Sequence, residues 1–225
     1  MRKLLLLYIS IGLAFAGNGI SFSTTFLDST GQFSITYPVA LPNAAALSEL
    51  QKNFIRQKFG EKFLNQEPLA ALSQFVKGRE VFFLSDAVSF PLHSIVQYET
   101  SLHEHRDDER IALVTSVGIY RIADGKKIEL GSIFVKNWEK DVVALIIKEF
   151  LLSQNLRSLL DYNYTQKESD FVPLSMRIVN GGLEFLYPAY KIGPDAVGEQ
   201  SVFLSWNTLK PYLNKNSVIY SKIKF

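Results

Sequence analysis

The stretch Leu174-Ser175-Met176-Arg177-Ile178-Val179-Asn180-Gly181-Gly182-Leu183-Glu184-Phe185-Leu186-Tyr187 decides the fold class. Residues 174–179 and 183–187 read as strands, and Asn180-Gly181-Gly182 between them is a hairpin signal, because asparagine and glycine accept the positive φ of a tight turn. Working outward toward the C-terminus, the pattern predicts a strand at 201–204, a short helix at 207–213 and a terminal strand at 218–223. Toward the N-terminus, residues 80–122 alternate with period two and predict three strands, 81–84, 94–102 and 111–122. The last two are joined by His103-Glu104-His105-Arg106-Asp107-Asp108-Glu109-Arg110, a charged loop, and Asp124-Gly125 marks a turn after the third. A first hairpin is expected from strands 21–27 and 32–39 around Asp28-Ser29-Thr30-Gly31, with Pro38 closing the second strand or placing it at an edge.

Three longer helices also interrupt these strands. Asn43 caps the first, whose apolar face runs through Leu47, Leu50, Phe54, Ile55 and Lys58-Phe59 until Gly60 ends it. A weaker one spans 68–76 with Pro68 in its first turn. The third, 138–152, has the broadest apolar stripe: Val142, Val143, Leu145, Ile146, Phe150 and Leu151. Runs of strands with a few helices and no strict βαβ alternation predict an α+β fold of antiparallel sheets with packed helices.

Composition bounds the function. The 225 residues are 47% hydrophobic and 20% charged, with 17 Phe and 10 Tyr, which describes a globular chain with an aromatic core. There is no cysteine, which excludes disulfides, thiolate metal sites and a cysteine nucleophile. Met1-Arg2-Lys3 followed by the apolar run 4–15 and by Ala14-Phe15-Ala16 reads as a signal peptide of residues 1–16 cleaved after Ala16. The run is shorter than the roughly 20 residues a membrane-spanning helix needs, so no stable span is expected after cleavage. The remaining chain carries 22 basic and 22 acidic residues, without the basic footprint of a nucleic-acid binder. These readings place the protein in the periplasm or outside the cell.

Asp124-Gly125-Lys126-Lys127-Ile128-Glu129-Leu130-Gly131-Ser132-Ile133-Phe134, the Asn180-Gly181-Gly182-Leu183-Glu184-Phe185 turn, Pro188-Ala189-Tyr190 and Gly193-Pro194-Asp195-Ala196-Val197-Gly198 together resemble the DUF3298 family over about the last hundred residues. Phe33-Ser34-Ile35-Thr36-Tyr37-Pro38 is similar to the strand that opens DUF4163, a domain that commonly precedes it. The resemblance implies an extracytoplasmic α+β unit, known in an anti-sigma factor that binds lysozyme and in peptidoglycan deacetylases. It implies a DUF4163-like part at 17–112 and a DUF3298-like part at 113–225, which could pack as one unit. The chain departs from the family at Ile111-Ala112-Leu113-Val114-Thr115-Ser116, at Lys191 and at Asp195.

Candidate site residues fall in two places. His103 and His105 stand beside Glu104, Asp107 and Asp108; a metal site is weighed there, but a solvated hairpin tip is favoured, and no metal is expected. Tyr187 and Tyr190 with Asp195 lie on the proline-braced turn, where aromatic rings offer rigid contact area, or pack inward as a structural corner. No Gly-x-Ser-x-Gly elbow and no phosphate loop occurs, so no catalytic residue and no cofactor is assigned. The expectation is a non-catalytic binding module for a protein such as lysozyme or a cell-wall glycan. The alternatives are an envelope enzyme acting on peptidoglycan and a structural subunit of an envelope assembly.

Overall fold

Asparagine and glycine set the limits of the helix that organises the first half. Asn43 Oδ1 accepts from the Ala45 and Ala46 amides at 2.9 and 3.3 Å, and Gly60 takes φ 91° where the chain leaves the helix. A computed structural model describes residues 11–15, 20–27, 32–77, 79–105, 111–160, 164–165, 167–189, 191–194 and 198–223. Among them nine strands form three antiparallel three-stranded sheets in sequential order, as the α+β expectation requires. None of the described helices is long and apolar enough to cross a membrane. The chain divides into two compact units, Met1–Phe90 with Ser94–Lys127 and Pro91–His93 with Ile128–Phe225.

In the first unit, β1 (Ile11–Phe15), β2 (Ile20–Phe26) and β3 (Ser34–Ala40) make one sheet. β1 falls inside the segment read as a signal peptide. α1 (Ala44–Phe59) and α2 (Pro68–Val76) follow, then the sheet of β4 (Val81–Leu92, its last two residues counted with the second unit), β5 (Ile95–His105) and β6 (Ile111–Arg121). α1 buries Leu50 and Phe54 against Ile20, Phe22, Val96, Tyr98 and Tyr120, with the Phe54 and Tyr98 rings stacked 3.8 Å apart. A second cluster joins Ile55, Phe59, Phe63, Leu72 and Phe75 to Ile35 and Leu84. The turn after β6 lies on α1: Asn53 Nδ2 donates to Gly125 O at 2.9 Å, and a Cβ at Gly125, whose φ is 69°, would fall 2.3 Å from Ala46 O. β6 stays hydrogen-bonded to β5 along its whole length, and the first compact unit runs to Lys127.

The second unit holds α3 (Leu130–Ile133), α4 (Glu139–Ser153) and the sheet of β7 (Ser175–Val179), β8 (Gly182–Tyr187) and β9 (Gln200–Ser205), which runs into α5 (Trp206–Leu209). Alternation along the strands buries Met176, Ile178, Leu183, Phe185, Val202 and Leu204. α4 lies against β9 and buries Val142, Val143, Ile146 and Phe150. Gly181 takes φ 85° in the β7–β8 turn, as Asn180-Gly181-Gly182 predicts.

Three expectations need correction. β4 runs on to Leu92 and does not stop at residue 84. The helix expected at 207–213 is α5 followed by a 3-10 turn, Lys210–Tyr212. The terminal strand expected at 218–223 is a 3-10 turn, Tyr220–Lys222, because Ser217 Oγ accepts from the Tyr220 amide at 3.1 Å and Ser221 Oγ donates to Val218 O at 3.1 Å. Local serine bonds of this kind compete with a strand ladder.

Candidate functional site

The far end of the β5–β6 hairpin brings three of its own and neighbouring side chains together. Antiparallel register sets His103 opposite Leu113, and the Phe82 ring from β4 stands 5.8 Å from the His103 ring. Phe82 is 42% exposed and Leu113 47%. Long strands fix this backbone, so the rings and the leucine present apolar area at small ordering cost, while the imidazole adds a donor and an acceptor. The charged loop is shorter than expected, since β5 continues through His105, opposite Ile111. The His105 side chain and residues 106–110, Asp107 and Asp108 included, lie outside the described residues. Among the described residues no group of three His, Asp or Glu side chains could hold a metal ion. Phe82 was not singled out from sequence; Val81-Phe82-Phe83-Leu84 is apolar on both faces, which is the signal that one face shows a large side chain to solvent.

The second expected place divides differently. Tyr187 is buried, and its hydroxyl donates to Phe171 O at 2.7 Å with the two rings 6.0 Å apart. Burial pushes that hydroxyl well above its ordinary value. Tyr187 is thus a core residue tying β8 to the Glu168–Phe171 turn, and it offers no surface to a ligand. Tyr190 and Asp195 lie outside the described residues. Among the described residues of this unit, Thr165 Oγ1 donates to Asp170 at 2.6 Å and Lys191 reaches the same carboxylate at 3.6 Å. The Thr165 hydrogen bond, with help from Lys191 and Lys167, holds Asp170 below the usual carboxylate range.

The strongest electrostatic feature is internal and was missed. Lys58 of α1 donates to Ser34 O at 3.0 Å and to the Asp86 carboxylate of β4, with both side chains fully buried. Asp86 also accepts from the Thr36 amide at 2.6 Å and from Thr100 Oγ1 at 3.1 Å, so one node joins α1, β3, β4 and β5. Burial lowers the Lys58 amine to about 8 despite Asp86, and burial with the Asp86 charge raises the Tyr98 hydroxyl well above its ordinary range. Enclosed on all sides, the node clamps the unit and reaches no substrate. Its sequence signal was Lys58 four residues after Phe54, on the face that α1 buries.

Neither a family model nor a curated protein matches the sequence. Among solved structures, a DUF3298 family member from Bacteroides fragilis is similar at 15% identity with a TM-score of 0.73, covering 97% of each chain. A DUF3298 family protein from Pseudomonas aeruginosa is similar at 16% identity with a TM-score of 0.61, covering 93% of this chain and 96% of its own. Likeness at that level of identity is one of fold, and the chain has the fold of these DUF3298 family structures.

Proposed function

We propose that this is an exported binding module of the cell envelope, without catalysis of its own, which recognises a protein of the lysozyme kind or a cell-wall glycan. The observation that carries the reading is the cluster of Phe82, His103 and Leu113, an exposed ring and an exposed leucine beside an imidazole on one three-stranded sheet. Exposed rings and leucines of this kind serve as contact residues when a partner covers them. The basic start, the brief apolar run and Ala14-Phe15-Ala16 support export with cleavage after Ala16.

The test is retention of the purified protein on immobilised lysozyme and on insoluble peptidoglycan. Phe82→Ser with Leu113→Ser is expected to weaken retention at least tenfold while lowering the melting temperature by only about 2–4 °C, because two half-exposed positions together contribute about 1 kcal/mol. Retention on neither material, or retention untouched by both substitutions, refutes the reading.

A further inference from the structure

The sheet of β1, β2 and β3 has two edges that are finished in different ways. On the β3 side, side chains occupy the backbone groups: Asp86 accepts from the Thr36 amide, and Lys58 donates to Ser34 O. Pro38 brings no N–H of its own. That edge is closed. On the other side β2 is covered by β1, in the register Ile11↔Thr24, Gly12↔Ser23, Leu13↔Phe22, Ala14↔Ser21 and Phe15↔Ile20.

Cleavage after Ala16 removes β1 and turns β2 into an edge strand. Natural edge strands are blunted by charges, prolines or short length, since a bare row of N–H and C=O groups invites another chain to pair. β2 reads Ile20-Ser21-Phe22-Ser23-Thr24-Thr25-Phe26, seven residues with no charge and no proline. Its irregularity, between Ser21 and Phe22, belongs to the pairing with β3.

We propose that the processed protein accepts an extended segment of a partner protein along β2, added antiparallel as a third strand in the place of β1. The inference rests on the export reading above. The register states the chemistry of the occupant. Large apolar residues stand at the positions paired with Ile20, Phe22 and Thr24, and small ones at those paired with Ser21 and Ser23, as Phe15, Leu13, Ile11, Ala14 and Gly12 do in this chain. Main-chain hydrogen bonds then supply affinity and the alternation supplies selectivity.

The experiment uses the protein of residues 17–225 and a fluorescent peptide of residues 9–16 with a lysine tail for solubility. Saturable binding is expected, with slowed amide exchange in β2 and at least tenfold weaker binding of the peptide carrying Leu13→Pro, which cannot complete the ladder. Equal binding of both peptides, or no change in β2 exchange, overturns the proposal. So does a processed chain that no longer melts cooperatively, or one that self-associates through β2 in the absence of peptide, which makes a second copy the occupant. N-terminal sequencing of the natural product separates the two readings. Met1 retained on a protein recovered from the cytosol overturns export and the open edge together, whereas Met1 retained on an exported protein, or Gly17 at the start with no peptide binding, overturns the edge alone.

Discussion

Replacing Asp86 with alanine leaves the Lys58 ammonium buried beside Ser34 O with no counter-charge, and leaves the Thr36 amide and the Thr100 hydroxyl without their acceptor. Breaking a buried pair from one side costs about 3–5 kcal/mol. The upper end is set by proton release: giving up a proton at pH 7 from an ordinary lysine costs about 5 kcal/mol, at ~1.4 kcal/mol per pH unit. The pH dependence distinguishes this from a simple cavity. In the parent the folded Lys58 keeps its proton up to about pH 8. In the variant burial acts unopposed, so the folded amine is neutral well below that while the unfolded chain stays protonated to about 10.4. The unfolded state then binds the extra proton, and variant stability rises with pH where the parent is flat. The gap between them therefore widens by ~1.4 kcal/mol per unit as pH falls from 8 toward 6. Urea unfolding followed by circular dichroism at pH 6, 7 and 8 measures it. The double change Lys58→Met with Asp86→Leu is expected to lie closer to the parent than Asp86→Ala, because it removes the stranded charge and leaves only neutral groups, Ser34 O, the Thr36 amide and the Thr100 hydroxyl, without these partners. A loss under about 1 kcal/mol, or a gap that does not change with pH, refutes the account of this node as a charged clamp.

Alkaline stability should be biphasic. The lowered Lys58 amine favours the folded state progressively from about pH 8 until the unfolded lysine also titrates, whereas Tyr37, Tyr98 and Tyr187, all raised by burial, hold protons that the unfolded chain sheds above about pH 10. Stability is expected to climb to near pH 10 and fall beyond it, with Tyr98→Phe softening the fall; a monotonic curve in thermal melts contradicts this. Gly125→Ala forces a Cβ to within 2.3 Å of Ala46 O and 2.6 Å of Leu50 N, both backbone atoms of α1, at φ 69°. Left-handed strain and overpacking together should cost about 2–4 kcal/mol, read as a lower urea midpoint. Tyr187→Phe removes the bond to Phe171 O and should cost about 1–2 kcal/mol; an unchanged midpoint would show that the hydroxyl contributes nothing to the core.

What could be read from sequence divides along a physical line between local and distant causes. Asn43 and Gly60 mark α1 because capping depends on a few adjacent residues, and Asn180-Gly181-Gly182 marks the β7–β8 turn because Gly181 must take φ 85°. The end of β4 was not legible. Ser85, Asp86 and Ser89 look like a loop until Lys58, from 28 residues earlier, neutralises Asp86, and Gln97 Nε2 of β5 meets Ser89 Oγ at 3.4 Å. The expected C-terminal strand does not form for the opposite reason: Val218 and Ile219 suit a strand, yet serine bonds close a turn locally, and Ile219 is buried there. The site follows the same line. His103 could be singled out by residue type, but its neighbours Phe82 and Leu113 are fixed by strand pairing, and Tyr187 faces inward because Phe171, 16 residues before it, receives its hydroxyl. Patterning tells which side chains can be covered; only the assembled sheets tell which ones are. An exposed ring such as Phe82, where most of the described aromatic residues are buried, is therefore a feature that composition alone cannot supply.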